Sequence, residues 1–189
     1  MFSVLRSNKC SIQIKKEDAK RPLFFIPLSL NQHILYFMAA NIFTPNDFDR
    51  ICHRIDKLSF ENNRRWGTMS LAQMMAHCSI QLELALESNK TNKLEGPAIM
   101  RTNLGRYLAL YVLPWVPGLP APEKMNTSKN DFNGLVFEEE RKRLLHLLKK
   151  LRSYSGELNA HPFFGLLNRK DWGRLVWKHL DYHLRQFSA

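Results

Sequence analysis

The last segment of the chain carries the pattern that constrains its fold most. Asn168 can cap a helix with Asp171 at its third position, while Leu167 and Trp172 stand at the two positions of a hydrophobic staple. The helical face that follows combines apolar residues with two histidines and a glutamine: Trp172, Leu175, Val176, His179, His183 and Gln186. This i, i+3, i+4, i+7 spacing predicts one long helix that ends near the C-terminus and packs against other helices.

Four further segments show helix signals, at about 44–58, 70–86, 97–113 and 137–154. The first has a proline after a capping threonine, the second opens on a capping box, and the fourth is acidic in its first turn and basic in its last. The apolar face of the first consists of Phe48, Ile51, Ile55 and Leu58. No alternating run is long enough for a sheet, so the sequence predicts an all-α fold.

Prolines dominate the connection between the third and fourth predicted helices. Pro114, Pro117, Pro120 and Pro122 enforce an extended backbone, and the loop that they begin runs to about residue 134. A loop of this length is a candidate lid over a functional site.

Residues 1–37 differ from the rest of the chain. They begin with a basic stretch that has no helical period and continue into an apolar run, 23–30, which Pro27 interrupts. The basic part is too long for a signal peptide, and the apolar part is too short for a membrane span. We therefore expect a poorly ordered extension, which an upstream start codon with Met38 as the true start would explain, followed by one domain over residues 38–189.

Charge and cysteine content narrow the expected partners. The chain has 28 Lys and Arg residues against 17 Asp and Glu, a net charge of +11. This charge is spread along the helices without the interleaved aromatic residues of a nucleic-acid stacking surface, so neither nucleic acid nor a membrane is an expected partner. Three separated cysteines with no CxxC pair indicate neither a disulfide framework nor a zinc ribbon, and the cytoplasm is the expected location.

Three histidines form the candidate site. His179 and His183 are four residues apart on the core face of the last helix, so both imidazoles can reach one ion. His77 lies midway along the second helix and could face them across a bundle. Three neutral imidazoles with an open coordination position suit zinc, nickel, iron or manganese. The alternative is that these are core histidines hydrogen-bonded to carbonyl groups.

The neighbours of these histidines limit the chemistry. The general-base glutamate of a zincin protease is replaced by Leu180. Cys78 is rotated by about 100° from its neighbour on the helix, which predicts a packed thiol rather than a fourth ligand. Trp66 and Trp172 are expected in the core.

Four short motifs resemble those of a DinB-like branch of unknown function. They read RWGTMS at 65–70, QMMAH at 73–77, HPFFG at 161–165 and HLDYHLRQF at 179–187, the last similar to the branch's H-x-x-x-H-L-R-Q-F ending. The resemblance covers about residues 40–187. It implies a four-helix bundle with a long crossover, to which this chain adds a short helix and the Pro-rich loop.

The resemblance also implies a metal ion on the bundle axis, held by one histidine of the second helix and two of the last. By position these are His77, His179 and His183. Some DinB-like relatives are metal-dependent transferases that join low-molecular-weight thiols to electrophiles, and dimers are common among them. The branch itself has no established activity, so enzyme status does not follow from the resemblance.

Two functions are compatible with these features. The first is a metal-dependent transferase in which the open position lowers the pKa of a thiol or water nucleophile, with Gln73 and Gln186 as orienting groups beside their histidines. His161, which precedes a proline, is either a substrate contact or part of a turn. The second is a non-catalytic bundle, stress-associated or structural, that binds a metal or a small apolar ligand.

Overall fold

The computed structural model describes residues 40–87, 93–119, 121–126 and 134–189, which contain helices and no β-strand. The α-helices are α1 (Pro45–Lys57), α2 (Leu71–Leu86), α3 (Asn103–Tyr107), α4 (Phe137–Ser153) and α5 (Arg169–Gln186). The connection between α2 and α4 also contains 3-10 segments at Ala98–Arg101 and Glu123–Met125 and a π-helical segment at Leu108–Val112. The prediction of an all-α fold is confirmed.

The four long helices form a bundle. Helix α2 packs along α4, and α5 lies against both α1 and α2. The predicted apolar face of α1 is buried, and the other three helices contribute residues such as Met75, Leu148 and Trp172 to the same core. The long connection over residues 87–136 fits a bundle with a crossover. The specifically DinB-like arrangement stays a prediction.

Hydrogen bonds account for two of the predicted helix starts. Ser70 Oγ accepts the backbone N–H of Gln73 at 3.2 Å, and Gln73 Oε1 accepts that of Ser70 at 2.8 Å, which completes a capping box. At α5, Asn168 Oδ1 accepts the backbone N–H of Asp171 at 2.8 Å. At α1 the capping Thr44 has no side-chain hydrogen bond to the helix, although proline follows it as predicted. Local signals therefore locate these starts correctly.

The segment 97–113 does not form the single helix that its apolar content predicts. Thr102 has an extended backbone, with φ −75° and ψ 156°, between Ala98–Arg101 and α3. Its hydroxyl donates to Ile99 O at 2.8 Å and accepts the N–H of Gly105 at 3.1 Å. The prediction of one continuous helix is wrong because these side-chain bonds end one segment and cap the next.

Helix α5 is buried on nearly every side, including at positions that carry cations. Arg174 and Lys178 are 0% and 1% exposed. Arg174 Nε donates to Leu110 O at 2.8 Å. Lys178 Nζ donates to Ala109 O and Leu113 O, both at 2.6 Å. The carbonyls at the end of a helical segment have no partner within it, so these two cations tie α5 to the π-helical segment.

Two predictions concern residues outside the described ranges. The extension over residues 1–37 and the domain start at residue 38 both lie outside them. The predicted lid loop is described only at 114–119, 121–126 and 134. No helix in the described part of the chain is both long and apolar enough to cross a membrane.

Gly173 allows the segment before α1 to lie directly against α5. Its carbonyl accepts the N–H of Ile42 at 3.1 Å. A β-carbon added at Gly173 would lie 2.1 Å from Asn41 Oδ1 and 2.5 Å from Phe43 Cδ2. Asn41 is held in place because its amide donates to Lys170 O at 2.8 Å and accepts the N–H of Phe43 at 3.0 Å. The close approach therefore requires glycine.

We expect Gly173→Ala to lower the free energy of unfolding by about 1–3 kcal/mol, because overpacking outweighs the gain of about 1 kcal/mol that alanine gives a helix interior. Urea unfolding followed by circular dichroism measures the change. The double variant Asn41→Ala/Gly173→Ala should recover part of the loss, since it removes the nearest clashing atom. A stabilised Gly173→Ala protein would contradict the close approach.

Candidate metal centre

Two helices bring three histidine side chains together. His77 comes from the middle of α2, and His179 and His183 come from successive turns of α5. The ring centroids are 4.6, 4.7 and 4.8 Å apart in the three pairs, and each residue is only 4–5% exposed. One ligand nitrogen from each residue lies within 4.8 Å of the others. The three histidines could therefore hold one metal ion.

Hydrogen bonds orient two of the imidazoles. His77 Nδ1 donates to Met125 O at 2.8 Å, since a carbonyl only accepts, and its Nε2 therefore carries a lone pair. His183 Nδ1 donates in the same way to Gln186 Oε1 at 2.9 Å. The amide of Gln186 is oriented in turn by its Nε2, which donates to Trp66 O at 2.7 Å. Both imidazoles thus offer an unprotonated Nε2. Their Nδ1 atoms donate hydrogen bonds, as the second ring nitrogen of a metal-ligating histidine usually does.

The spacing of the nitrogens fits a shared ion. His77 Nε2 and His179 Nε2 are 2.9 Å apart. Two nitrogens bound to one ion at about 2.0–2.1 Å, with an angle of about 90–109° between them, are roughly 2.9–3.4 Å apart. His179 Nδ1 is buried and has no hydrogen-bond partner among the described residues. Three imidazoles of this kind suit a borderline divalent ion such as zinc, nickel, iron or manganese.

Burial keeps the three imidazoles neutral. It lowers the pKa of His77 below the ordinary value, although the hydrogen bond to Met125 opposes the shift. It lowers the pKa of His183 to about 3. The pKa of His179 is lowered well below the ordinary value, by burial first and then by the neighbouring imidazoles. Neutral imidazole is the form that ligates a metal, so the environment favours the ligating state at neutral pH.

The three histidines line a cavity of about 630 Å³. This volume is within the range of about 300–1,000 Å³ that is common for small-molecule sites. Most of the remaining wall is apolar or aromatic, with Met100, Met125 and Phe163 among its residues. The described residues that line the cavity include no Asp, Glu, Lys or Arg. The cavity therefore offers an apolar interior beside three neutral ligating groups.

The Pro-rich connection borders this cavity. Trp115, Pro117, Leu119 and Pro122 all contribute to the wall. The carbonyl of Met125, which orients His77, also belongs to this connection. The described part of the loop thus lies where a lid would have to lie, while its closing over a bound molecule stays a prediction.

The three accessory residues predicted from the sequence, Gln186, His161 and Gln73, differ in their position relative to the cavity. Gln186 is buried, lines the cavity and contacts His183, as described above. His161 also lines the cavity, and its Nδ1 accepts the N–H of Phe163 at 3.1 Å within a turn closed by a bridge to Gly165. Burial lowers the pKa of His161 to about 3. Gln73 is not among the described residues that line the cavity, and its Oε1 is used in the capping box of α2.

Sequence reasoning misplaces one tryptophan and omits several wall residues. Trp172 is in the core as predicted, but Trp66 is half-buried and lines the cavity. The indole of Trp66 donates from Nε1 to the hydroxyl of Tyr182 at 3.1 Å, and Tyr182 also lines the cavity. Gln81 was not predicted, yet its position four residues after His77 on α2 is a usable signal. Trp115 carries no such signal because only the tertiary fold brings it to the cavity.

The fold and the site thus define the class of protein: an all-α bundle whose core holds three buried histidines that are suited to a metal ion. The chain belongs to the family described as "Protein of unknown function (DUF1569)", whose model matches residues 41–189. No curated protein and no solved structure matches the chain significantly. The family description includes no activity, so the function has to be argued from the site.

Cys78 is a packed thiol, as predicted. It is 1% exposed, its Sγ lies 3.8 Å from Met74 Sδ, and burial raises its pKa. The second described cysteine, Cys52, is also buried. Both thiols are therefore poorly placed to react while the protein is folded.

We expect the folded Cys10→Ser variant to resist modification by a disulfide reagent such as dithiobis(nitrobenzoate), because both remaining thiols are buried. Release of the coloured thiolate should become fast only in urea, where both cysteines react. The wild type, which keeps Cys10, is the control. Rapid modification of one equivalent in the folded variant would contradict the packed position of Cys78.

Proposed function

We propose that this chain is a DinB-like bundle that binds one divalent metal ion through His77, His179 and His183 and acts as a metal-dependent transferase with a thiol or water nucleophile. The observation that carries the proposal is the convergence of three buried, neutral imidazoles from two helices on the wall of a cavity. Three protein ligands with an open position are typical of catalytic metal sites, whereas structural sites are usually closed by four.

The residues of the chain would hold and orient the ion. Met125 O and Gln186 Oε1 fix the rings of His77 and His183, so that the nitrogens that face the centre are unprotonated. A divalent ion held there supplies Lewis acidity, which lowers the pKa of a thiol or of water into the neutral range. The largely apolar wall limits the water around the reacting groups, which strengthens electrostatic interactions.

A thiol is the nucleophile that the cavity supports better. In such a transfer the sulfur forms a bond to the electrophilic atom, the leaving group departs with its electron pair, and the thiol proton passes to solvent. An unperturbed thiol has a pKa of about 8.5, whereas that of bulk water is about 15.7, so the thiol needs a much smaller shift. No carboxylate lines the described part of the cavity to act as a base for water.

A second candidate is a non-catalytic bundle, stress-associated or structural, that binds a metal or a small apolar ligand. It is favoured by the same shortage of acid–base groups. Apart from the three proposed ligands, the titratable side chains of the described lining are His161 and Tyr182. The pKa of His161 is far below neutrality, so this imidazole is a weak base.

The proposed partners are a small-molecule substrate, such as a low-molecular-weight thiol, and a second copy of the chain in a homodimer. Nucleic acid is not a proposed partner. A cytoplasmic location agrees with the burial of Cys52 and Cys78 as thiols, because reduced cysteines are typical of that compartment.

Metal binding is tested by elemental analysis of protein made without a polyhistidine tag and incubated with zinc, nickel, iron(II) or manganese. We expect about one equivalent of metal in the wild type, because three buried imidazoles, two of them oriented by hydrogen bonds, converge on one point. The variant His179→Ala/His183→Ala should retain none. Absorption of the cobalt(II)-loaded protein gives a second readout of nitrogen ligation.

The matched control is His53→Ala/His146→Ala, which removes two exposed histidines elsewhere in the bundle and should retain the metal. Circular dichroism of each variant separates loss of metal from loss of fold. Absence of metal from the wild type after every incubation, or equal retention by both double variants, would overturn the proposed site.

The transferase proposal is tested separately with 2-mercaptoethanol or cysteine as the thiol and 1-chloro-2,4-dinitrobenzene as the electrophile. The thioether forms as the carbon–chlorine bond breaks and chloride leaves, and its absorbance reports the rate. We expect the metal-loaded wild type to accelerate the reaction in proportion to protein concentration, because metal contact increases the thiolate fraction. The variant His179→Ala/His183→Ala should not. Full metal retention without acceleration across a panel of thiols and electrophiles would favour the non-catalytic candidate.

A further inference from the structure

Gln81 presents a buried polar atom that the fold does not use. The residue is 2% exposed and lines the cavity. Its Oε1 has no hydrogen-bond partner among the described residues. A buried acceptor without a partner is costly and uncommon in folded proteins, and a common reason for one is a ligand or a water molecule that supplies the missing donor.

The position of Gln81 connects it with the histidine cluster. It follows His77 by four residues on α2, so the two side chains lie one above the other on the same face of the helix. Both line the same cavity. A molecule that occupies the cavity beside the histidines would therefore also lie beside the Gln81 side chain.

The walls of the cavity restrict the charge of such a molecule. No acidic or basic side chain other than histidine is among the described residues that line it. In the metal-free protein, a carboxylate or an ammonium group would lose hydration there without gaining a counter-ion from the described wall, which is strongly unfavourable. Trp66, Trp115, Phe163 and Phe164 instead offer aromatic surface. The cavity is suited to an uncharged and largely apolar occupant.

His161 adds a donor to the same cavity. Its Nδ1 accepts the backbone N–H groups of Phe163 and Phe164, at 3.1 and 3.4 Å. The proton of the neutral ring is therefore on Nε2, which can donate. Gln81 Oε1 and His161 Nε2 thus add an acceptor and a donor to the residues that line the cavity, and an amide group has the complementary pair.

We propose that the cavity binds an uncharged, largely apolar small molecule and that Gln81 determines specificity by accepting a hydrogen bond from an N–H or O–H group of that molecule. The inference deepens the proposed function by naming the class of substrate, and it rests on that function only in placing the molecule beside the three histidines. Binding of the apolar body does not depend on a bound metal.

The test uses three probes of nearly equal size: 3-(2-naphthyl)propanamide, its methyl ester and its carboxylate. Calorimetry measures their binding to the full-length protein, both as purified and after dialysis against a chelator. We expect the amide to bind about fivefold to tenfold more tightly than the ester, the usual effect of one net hydrogen bond. The carboxylate should bind most weakly to the metal-free protein.

Gln81→Met removes the acceptor while nearly conserving side-chain shape. We expect it to lower the affinity for the amide to that for the ester and to leave the affinity for the ester unchanged. The matched control is Gln73→Met, the same substitution on the same helix at a residue used in the capping box. It should retain the preference for the amide.

Equal affinity of the wild type for amide and ester would overturn the role of Gln81, and this comparison does not depend on whether any variant folds. A preference for the amide that survives in Gln81→Met would overturn it as well. Failure of all three probes to bind would overturn the proposed occupant. None of these results depends on the elemental analysis, so failure of the metal site and failure of this inference are distinguishable.

Discussion

The burial of two cations on α5 is the constraint on which the geometry of the site depends. Arg174 and Lys178 can be buried there because backbone carbonyls at residues 109–113 accept their hydrogen bonds. Those bonds fix the rotation of α5, since a turn of the helix about its axis would leave both cations unpaired inside the protein. His179 follows Lys178 directly, and His183 lies one helical turn further, so the same rotation directs both imidazoles toward His77 on α2.

The candidate metal centre and the cavity wall are joined by a small number of hydrogen bonds. Gln186 contacts His183 with one end of its amide and the carbonyl of Trp66 with the other. Gly67, at φ +78°, permits this approach, because a β-carbon there would lie 2.6 Å from the Gln186 amide nitrogen. The Gln186 side chain thus sets both the orientation of the His183 imidazole and the position of the wall at Trp66. A molecule that moves this wall would also disturb His183, a proposed metal ligand.

Local sequence signals predict much of this architecture. The remainder depends on tertiary contacts between residues that are far apart in the sequence. Capping residues and helical periodicity predict the four long helices. The four-residue spacing of His179 and His183 on one helix, together with the position of His77 midway along another, predicts that the three histidines cluster. Apolar content does not predict the break at Thr102, because the break depends on a hydroxyl that bonds to the backbone of Ile99 and Gly105. The usual burial of aromatic residues predicts a core position for Trp66, whereas its actual position depends on the tertiary contact with Tyr182.

In the proposed reaction, a metal ion held by the three histidines would supply most of the catalytic effect. An enzyme that activates water usually also provides a general base, and the described wall includes no carboxylate for that purpose. Activation of a thiol has no such requirement, because the proton can leave to solvent once its pKa has been lowered. In the same proposal, the Gln81 acceptor, which has no partner among the described residues, would orient the electrophile within a largely apolar cavity. The shortage of acid–base groups, which by itself suggests a passive binding protein, is therefore compatible with thiol transfer and argues chiefly against hydrolysis.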